Sequence, residues 1–591
     1  MASATLCRVR FELRVKNWRS YIPILDVITH YRRSDFSRDL TSGLVVGVIT
    51  IPQAIAYAFL AGLPAQAGLY ACLVPMVIYA ILGSSRHLVV GPVAVAALMV
   101  AAAVGEHAPL YNESYLGITA VLGLQAGIFL WLLRLWKMGG VVNLLSHPVI
   151  VGFVNAAALL IIVSQLNAFT GIADEGSKNP IDRLGQLVSK LGELHTTTTI
   201  IGVCCVVGLW LVRRWGVSVA ELLVHPLGFS LGDRQLIARL GPLLVASVAV
   251  IVVWAGDLNG TAGVATIGLV PGGLPSLTVP PFNWDMWVDL APSSAMIAVV
   301  AYVESFSIGT MIATRQRTRI NAHQELIALG AANIGAAFTG AYPVAGSFSR
   351  SSVNYQTGAR TPVSSLVCAA VIILTLLFFT PLFTYLPHAA LAAIVIVSVT
   401  SLLDFRSFRT HWRIHREDSV TQMVTLASVL LFGVEAGLLT GVTLSIAFFI
   451  RQSSRPNVTL VGRMGDTEQF RSARRYPVKT FEHVAAVRVD ENLYFGNANQ
   501  VENKLLKVVH RRPATKHLVL VCSAINMIDV SGLEMLYRIN QNLTDMGITL
   551  HLSEVKGPVM EQLAATDFIS ALAGTVYFTT DQAMRDLAPR T

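Results

Sequence analysis

Arg350 closes the run Tyr-Pro-Val-Ala-Gly-Ser-Phe-Ser-Arg over residues 342–350, with Ser347, Phe348 and Ser349 directly before it. Pro343 and Gly346 mark an extended approach, and the serines mark the first turn of a helix. A helix N-terminus presents backbone N–H groups without intrahelical acceptors and the positive end of the helix dipole. A guanidinium one turn inside, with two hydroxyls beside it, completes a donor set suited to an oxyanion. A second stretch of this kind, His-Leu-Val-Val-Gly-Pro-Val-Ala-Val over 87–95, lies in the other half of the chain. There Val93 and Ala94 follow Pro92 and offer small size and backbone N–H groups instead of side-chain chemistry. Short Gly/Pro-broken apolar segments at corresponding positions of two membrane halves point to a midplane substrate site. The chemistry implied is reversible anion binding.

Gln53 and Tyr57 are four residues apart, which puts them on one helix face just past Pro52, a helix-breaking residue. Their ordinary alternative is an interhelical hydrogen bond from a buried amide and an interfacial tyrosine. Glu304 sits in the apolar run 295–313, where an ionised carboxylate needs a partner or a proton. It is read as a proton-coupling candidate, against a structural pairing with Arg350 or a hydrogen bond inside the bundle. Arg350 itself competes with an arginine snorkelling to headgroups. For Ser347 and Ser349 the alternative is helix capping, which is compatible with binding an anion.

The elements that must hold these residues are membrane helices. Of 591 residues, 53% are hydrophobic and only 13% are charged, and mean hydropathy is +0.59, outside the usual range for soluble domains. Apolar stretches suited to lipid occupy 42–60, 67–82, 116–136, 148–169, 200–212 and 243–254 in the first half, and 294–313, 326–340, 362–379, 389–403, 420–432 and 438–450 in the second. With the two interrupted segments this makes about fourteen spans, seven per half. Seven is odd, so the second half enters from the opposite side and the repeat is inverted.

Orientation follows from charge. The first 38 residues carry eight Lys or Arg and no apolar signal-peptide core, so a cytoplasmic N-terminus is expected. Alternate connections from there place Arg86, Arg134, Arg213, Arg315, Arg360, the 406–416 stretch and Arg451 inside, as the positive-inside rule requires. The connections 105–115, 257–293, 381–388 and 433–436 contain no Lys or Arg and fall outside. Asn112 and Asn259 open glycosylation sequons in two of them. The net charge of +9 sits in termini and connections, which fits acidic lipid headgroups and not nucleic acid. The cysteines lack metal spacing and no phosphate-loop or dinucleotide motif is present, so no metal, cofactor or ATP-driven chemistry is expected.

After residue 450 a polar linker runs to about 480, followed by a soluble α/β pattern: apolar runs at 484–489, 518–521 and 549–552 alternate with helical stretches at 499–509 and up to about 542. The fold class expected is therefore a polytopic α-helical membrane domain over 39–451, behind a cytoplasmic segment 1–38, with a small α/β domain over 481–591. Asp529, Ser531 and Gly532 form the turn before the second helix of that domain, where capping is the preferred reading of Asp529 and Ser531.

The chain resembles the SulP family of anion transporters, which includes sulfate permeases and prestin. The resemblance is carried by Ile-Pro-Gln-Ala-Ile-Ala-Tyr-Ala at 51–58, Gly-Leu-Tyr at 68–70, Gly-Ser-Ser-Arg-His at 83–87, Gly-Pro-Val-Ala-Val at 91–95, Gln-Glu-Leu-Ile-Ala-Leu-Gly at 324–330 and Gly-Ser-Phe-Ser-Arg at 346–350. The soluble region looks like the STAS domain that follows in this family, and general likeness is closest to the animal sodium-independent sulfate anion transporter subgroup. The resemblance implies core and gate domains moving in an elevator-like cycle, and a homodimer. It places Gln53, Tyr57, Val93, Ala94, Ser347, Phe348, Ser349 and Arg350 beside the anion. Related bacterial STAS regulators carry a phosphorylatable serine directly after the turn aspartate, where this chain has Val530.

The function expected is a secondary transporter that exchanges or co-transports sulfate, with chloride, bicarbonate or oxalate as companions, in the plasma or lysosomal membrane. No enzymatic step is expected. The rivals are an uncoupled anion channel built on the same positive site and a membrane-anchored scaffold whose STAS domain binds regulatory proteins.

Overall fold

The computed structural model describes residues 22–105, 107, 113–140, 146–172, 180–224 and 240–588. Two compact units divide the chain, Met1–Val442 and Thr443–Thr591. Asn112 lies outside the described residues.

Two sets of seven helical segments, apolar except for the short Phe348–Gln356, are present among the described residues at the expected spans. The first comprises α1 (Arg33–Leu60), α2 (Ala65–Leu82, with a break after Ala71), α3 (Ala94–Gly105), α4 (Glu113–Leu135), α5 (His147–Thr170), α6 (Thr196–Val224) and α7 (Gly241–Ala255). The second comprises α8 (Trp284–Arg315), α9 (Ala322–Ala337), α10 (Phe348–Gln356), α11 (Val363–Phe383), α12 (His388–Thr400), α13 (Arg416–Phe432) and α14 (Val434–Ser453). Eight of these, α1, α2, α4, α5, α6, α8, α11 and α14, are long and apolar enough to cross a membrane. The short α3 and α10 are the two interrupted segments. Each follows a two-residue strand, β1 (Val90–Gly91) or β2 (Ala345–Gly346).

Pro52 does not break its helix. α1 is continuous across it, because in a packed bundle neighbouring helices hold the turns on either side of the missing N–H. The closest of these neighbours is α11. A Cβ at Gly43 would stand 2.4 Å from the Ser364 carbonyl oxygen, and one at Gly47 would stand 2.8 Å from Val371 Cβ. Small residues four apart let the two backbones approach to that distance. α11 itself changes at Thr375–Phe379 into a π-turn and then at Thr380–Phe383 into a 3₁₀ turn.

Packing mixes the two sets. α1 pairs with α11, α4 with α8 and α9, and α2 with α9, whereas α5 pairs with α12 and α13, and α6 with α7 and α12. Each group therefore draws helices from both halves of the sequence, which is the interleaving an inverted repeat produces.

The second unit contains a six-stranded sheet in the order β4-β3-β5-β6-β7-β8. Its strands are β3 (Val458–Arg463), β4 (Phe470–Ser472), β5 (Val484–Val489), β6 (His517–Val521), β7 (Thr549–Ser553) and β8 (Val576–Tyr577). β5 through β8 are parallel and β3 is antiparallel to both its neighbours. One face packs against α15 (Ala498–His510), α16 (Val530–Asp545) and α17 (Gly557–Ala564), and the other against α18 (Thr580–Leu587). The stretch expected as a polar linker, 452–480, thus contributes two strands. Its apolar residues are few, and their alternation becomes meaningful only once β5 is available as a partner.

Candidate anion site

β1 and β2 pair antiparallel, Val90 opposite Gly346 and Gly91 opposite Ala345. Strands running in opposite senses launch their helices in opposite directions, so the N-termini of α3 and α10 face one another across the pair. Side chains from α8, α9 and α10 itself brace this crossing. Ser305 of α8 accepts from Gly346 N at 2.7 Å, Asn333 of α9 accepts from Val344 N at 2.9 Å and donates to its carbonyl at 3.1 Å, and Ser351 Oγ accepts from Val89 N at 2.9 Å. Every bond fixes backbone that in lipid must be satisfied internally.

Two helix starts are presented here. The first bond of α3 runs from Ala97 N to Val93 O at 3.0 Å, which leaves the N–H groups of Ala94, Val95 and Ala96 without intrahelical acceptors. Val93 packs with Ala96, Ala301 and Ala345, and Ala94 is buried beside it. At α10, Ser347 is the N-cap residue, its Oγ accepting from Arg350 N at 3.5 Å. The hydroxyl hydrogen stays available, so the same side chain can cap the helix and donate to an anion. Phe348 and Ser349, the first two helical residues, are exposed.

Arg350 does not reach for headgroups. It is 1% exposed, folded under β1, with Nη2 donating to Pro92 O at 2.6 Å and Nη1 directed at Cys72 Sγ at 3.6 Å. Nε has no partner. Gly91 makes room for it, since a Cβ there would lie 3.0 Å from Nη1. No carboxylate pairs with this guanidinium within 4.0 Å among the described residues. A buried cation held by one carbonyl and one thiol is costly unless an anion completes it.

Gln53 and Tyr57 lie on α1, which packs against both α3 and α10. Both are buried, and among the described residues Gln53 Oε1 has no hydrogen-bond partner. Glu304 is half-buried, one residue before the bracing Ser305. It lies within electrostatic range of Arg350 and Tyr57 but makes no direct ion pair with Arg350 among the described residues, so the structural pairing entertained from sequence is absent. Three participants escaped the sequence reading. Cys72 and the Pro92 carbonyl anchor Arg350, and the fully buried Tyr342 hydroxyl, within electrostatic range of Arg350 and Tyr57, has no partner among the described residues. The one available signal for Tyr342 was its place in the Tyr-Pro dipeptide that opens the second interrupted segment.

In the second unit Asp529 caps α16, its Oδ1 accepting from Gly532 N at 2.8 Å, while Oδ2 accepts from Phe495 N at 2.8 Å. Ser531 is the second residue of that helix and makes no capping bond among the described residues, contrary to its expected role. Gly532 is required for space, because a Cβ would meet the Leu493 carbonyl oxygen at 2.7 Å. Asn259 is exposed on the short helix Leu258–Ala262.

Comparison with known proteins identifies the family and the fold. A family description, "Sulfate permease family", matches residues 36–425. The chain belongs to the sulfate permease family. A STAS domain matches residues 475–583. The chain is 32% identical over 582 residues to "Sulfate transporter 4.1, chloroplastic" of Arabidopsis thaliana, covering 96% of this chain and 82% of that one. A probable sulfate transporter of Mycobacterium tuberculosis is 30% identical over 557 residues, covering 93% and 95% respectively. Among solved structures, the murine Solute Carrier 26 family member A9 anion transporter in the inward-facing state superposes with a TM-score of 0.86 at 22% identity, covering 96% of this chain and 94% of that one. The transmembrane domain of a cyanobacterial bicarbonate transporter gives a TM-score of 0.58 at 22% identity over 70% of this chain and 98% of that one. Family membership makes the chain an integral membrane anion transporter and not an enzyme.

Proposed function

We propose that this sulfate permease family member is a sodium-independent secondary transporter of sulfate, taking chloride, bicarbonate or oxalate as exchange companions. The observation that carries the reading is Arg350, buried without a carboxylate partner between two opposed helix N-termini. Sulfate brings the two negative charges that such a site needs. Gln53, Tyr57, Val93, Ala94 and Ser347 line the approach, with Phe348 and Ser349 at its exposed rim. The printed names of the plant and mycobacterial relatives point to the same substrate.

The division into two packing groups supports alternating access. The group with α1, α2, α4, α8, α9 and α11, together with the site helices α3 and α10 packed on α1 and α8, slides as a core against the group of α5, α6, α7, α12 and α13. Glu304 gives this cycle a proton-binding group beside a divalent anion. The protein acts as a homodimer in the plasma or lysosomal membrane, with both termini cytoplasmic, glycan at Asn112 or Asn259 outside, and the STAS domain available to regulatory proteins.

Radiolabelled sulfate uptake into proteoliposomes, driven in turn by chloride and proton gradients, tests the reading. Saturable uptake accelerated by trapped anion or by an inward proton gradient supports it. Uptake that ignores both gradients and scales with an accompanying current overturns it in favour of an uncoupled pathway.

A further inference from the structure

Four arginines, Arg471, Arg474, Arg475 and Arg488, converge on one groove of about 550 Å³ in the second unit. Strand register explains the place of Arg488, while Arg471 reaches the groove from the edge strand β4. Thr459 of β3 pairs with Arg488 of β5, and Val461 of β3 pairs with Ser472 of β4, so Thr459, Ser472 and Arg488 project from the same sheet face as Val461. Val461 belongs to the apolar cluster under α18. Beyond that cover the same face turns cationic. Thr459 and Ser472 join their hydroxyls at 2.9 Å, and the turn after β4, closed by Arg475 N and Tyr476 N on Ser472 O at 3.1 Å each, delivers Arg474 and Arg475 to the rim.

The groove's single acid is already engaged. Asp490 accepts from Arg488 Nε at 2.5 Å and Nη2 at 3.3 Å, and from Asn457 Nδ2 at 2.7 Å. Four arginines less one aspartate leave the lining at +3. Among the described residues Arg471, Arg474 and Arg475 form no ion pair, and the one side-chain bond of Arg471 is a 3.4 Å contact with Gln469. Like charges gathered without counter-charges repel, and their natural complement is a multivalent anion. Every cation here is arginine, whose planar fork binds phosphate oxygens in pairs. A phosphomonoester carries about −1.5 to −2 at neutral pH, so a charge of +3 offsets about two of them. The groove is also larger than a single oxyanion fills.

We propose that this groove binds a compact polyol bearing two or more phosphomonoesters, of the inositol phosphate type, either free in solution or as the headgroup of a phosphorylated inositol lipid. Neither the transport site nor the Asp529 turn contributes a residue to it.

The test uses the full chain in nanodiscs of neutral phosphatidylcholine, titrated with inositol hexakisphosphate. Saturable binding is expected, at least tenfold weaker in the Arg474→Gln/Arg475→Gln double variant and within twofold of the parent in Lys507→Gln/Arg511→Gln, a control that removes two charges from the end of α15. Nanodiscs containing phosphatidylinositol 4,5-bisphosphate separate the sources. Loss of soluble-probe binding there identifies the lipid headgroup as occupant, and retained binding identifies the free form. The proposal is overturned by non-saturable binding, or by equal weakening in the two double variants, which would mark general charge attraction in place of a site.

Discussion

Replacing Arg350 with glutamine tests the anion site at its centre. In the folded protein the guanidinium is 1% exposed and held by Pro92 O at 2.6 Å. Glutamine is shorter and neutral. It leaves the Pro92 carbonyl unsatisfied, at a cost of about 1–3 kcal/mol, but it also removes a buried charge that lacks a carboxylate partner, and that relief is of similar size or larger. The fold should therefore survive, with a melting temperature within a few degrees of the parent. Binding has no such compensation. A hydrogen bond to a charged group contributes about 1.5–3 kcal/mol, which corresponds to roughly 10- to 150-fold in apparent sulfate affinity. Radiolabelled sulfate uptake into proteoliposomes should be lost at concentrations near the parental KM. Arg350→Lys keeps the charge without the fork and should fall between the two. Arg350→Gln protein that is folded and transports with parental KM and rate would refute the assignment.

Gly91→Ala places a methyl 3.0 Å from Arg350 Nη1, a guanidinium its Pro92 bond prevents from yielding. Overpacking of about 1 kcal/mol or more should raise the sulfate KM roughly fivefold, and an unchanged KM would show that Arg350 is free to move. Glu304→Gln should abolish any stimulation of sulfate uptake by an inward proton gradient while anion exchange persists. An unaltered pH response in the folded variant would leave Glu304 with a structural role. If the chain passes through a glycosylating compartment, Asn259→Gln should remove a glycosidase-sensitive shift on gels, whereas glycan acquired by a sequon engineered into 406–416 would invert the topology. In the STAS domain His551 Nδ1 accepts from Thr575 N at 3.0 Å and Nε2 faces His517 Nδ1 at 3.2 Å. Burial, reinforced by the charge of His517, pushes its pKa down to about 4. A histidine depressed in the folded state resists a proton that the unfolded chain accepts near 6.5, so its contribution is fully present above pH 6.5 and is lost as pH falls toward 4. The urea midpoint for residues 443–591, followed by pulse proteolysis of the full chain, should fall between pH 8 and pH 5, and His551→Gln should flatten that change.

Much of the architecture is legible in the sequence because lipid imposes a simple requirement. Backbone in a bilayer must satisfy itself, so spans appear as apolar runs and their ends as charge. Two-fold Gly/Pro interruption then singles out 87–104 and 341–355, and the Ser-Phe-Ser-Arg run marks the candidate anion chemistry. The STAS strands at 484–489, 518–521 and 549–552 show as apolar runs because a parallel sheet is buried on both faces.

Tertiary structure alone decided the rest. Nothing local marks Cys72 as a partner of Arg350, since 278 positions separate them and a thiol in an apolar span reads as packing. The antiparallel β1–β2 pairing, two residues on each side, is too short to carry a strand signal, yet it sets the two helix N-termini face to face. β3 forms in a polar stretch because β5 offers it an edge, and β4 pairs in turn with β3. The cationic groove arises from register, which brings Thr459, Ser472 and Arg488 to one sheet face from three strands. Local sequence encodes solubility in lipid and the tendency to start or stop a helix. It does not encode which buried charge remains without a partner, because that depends on every neighbour the fold brings within a few ångströms.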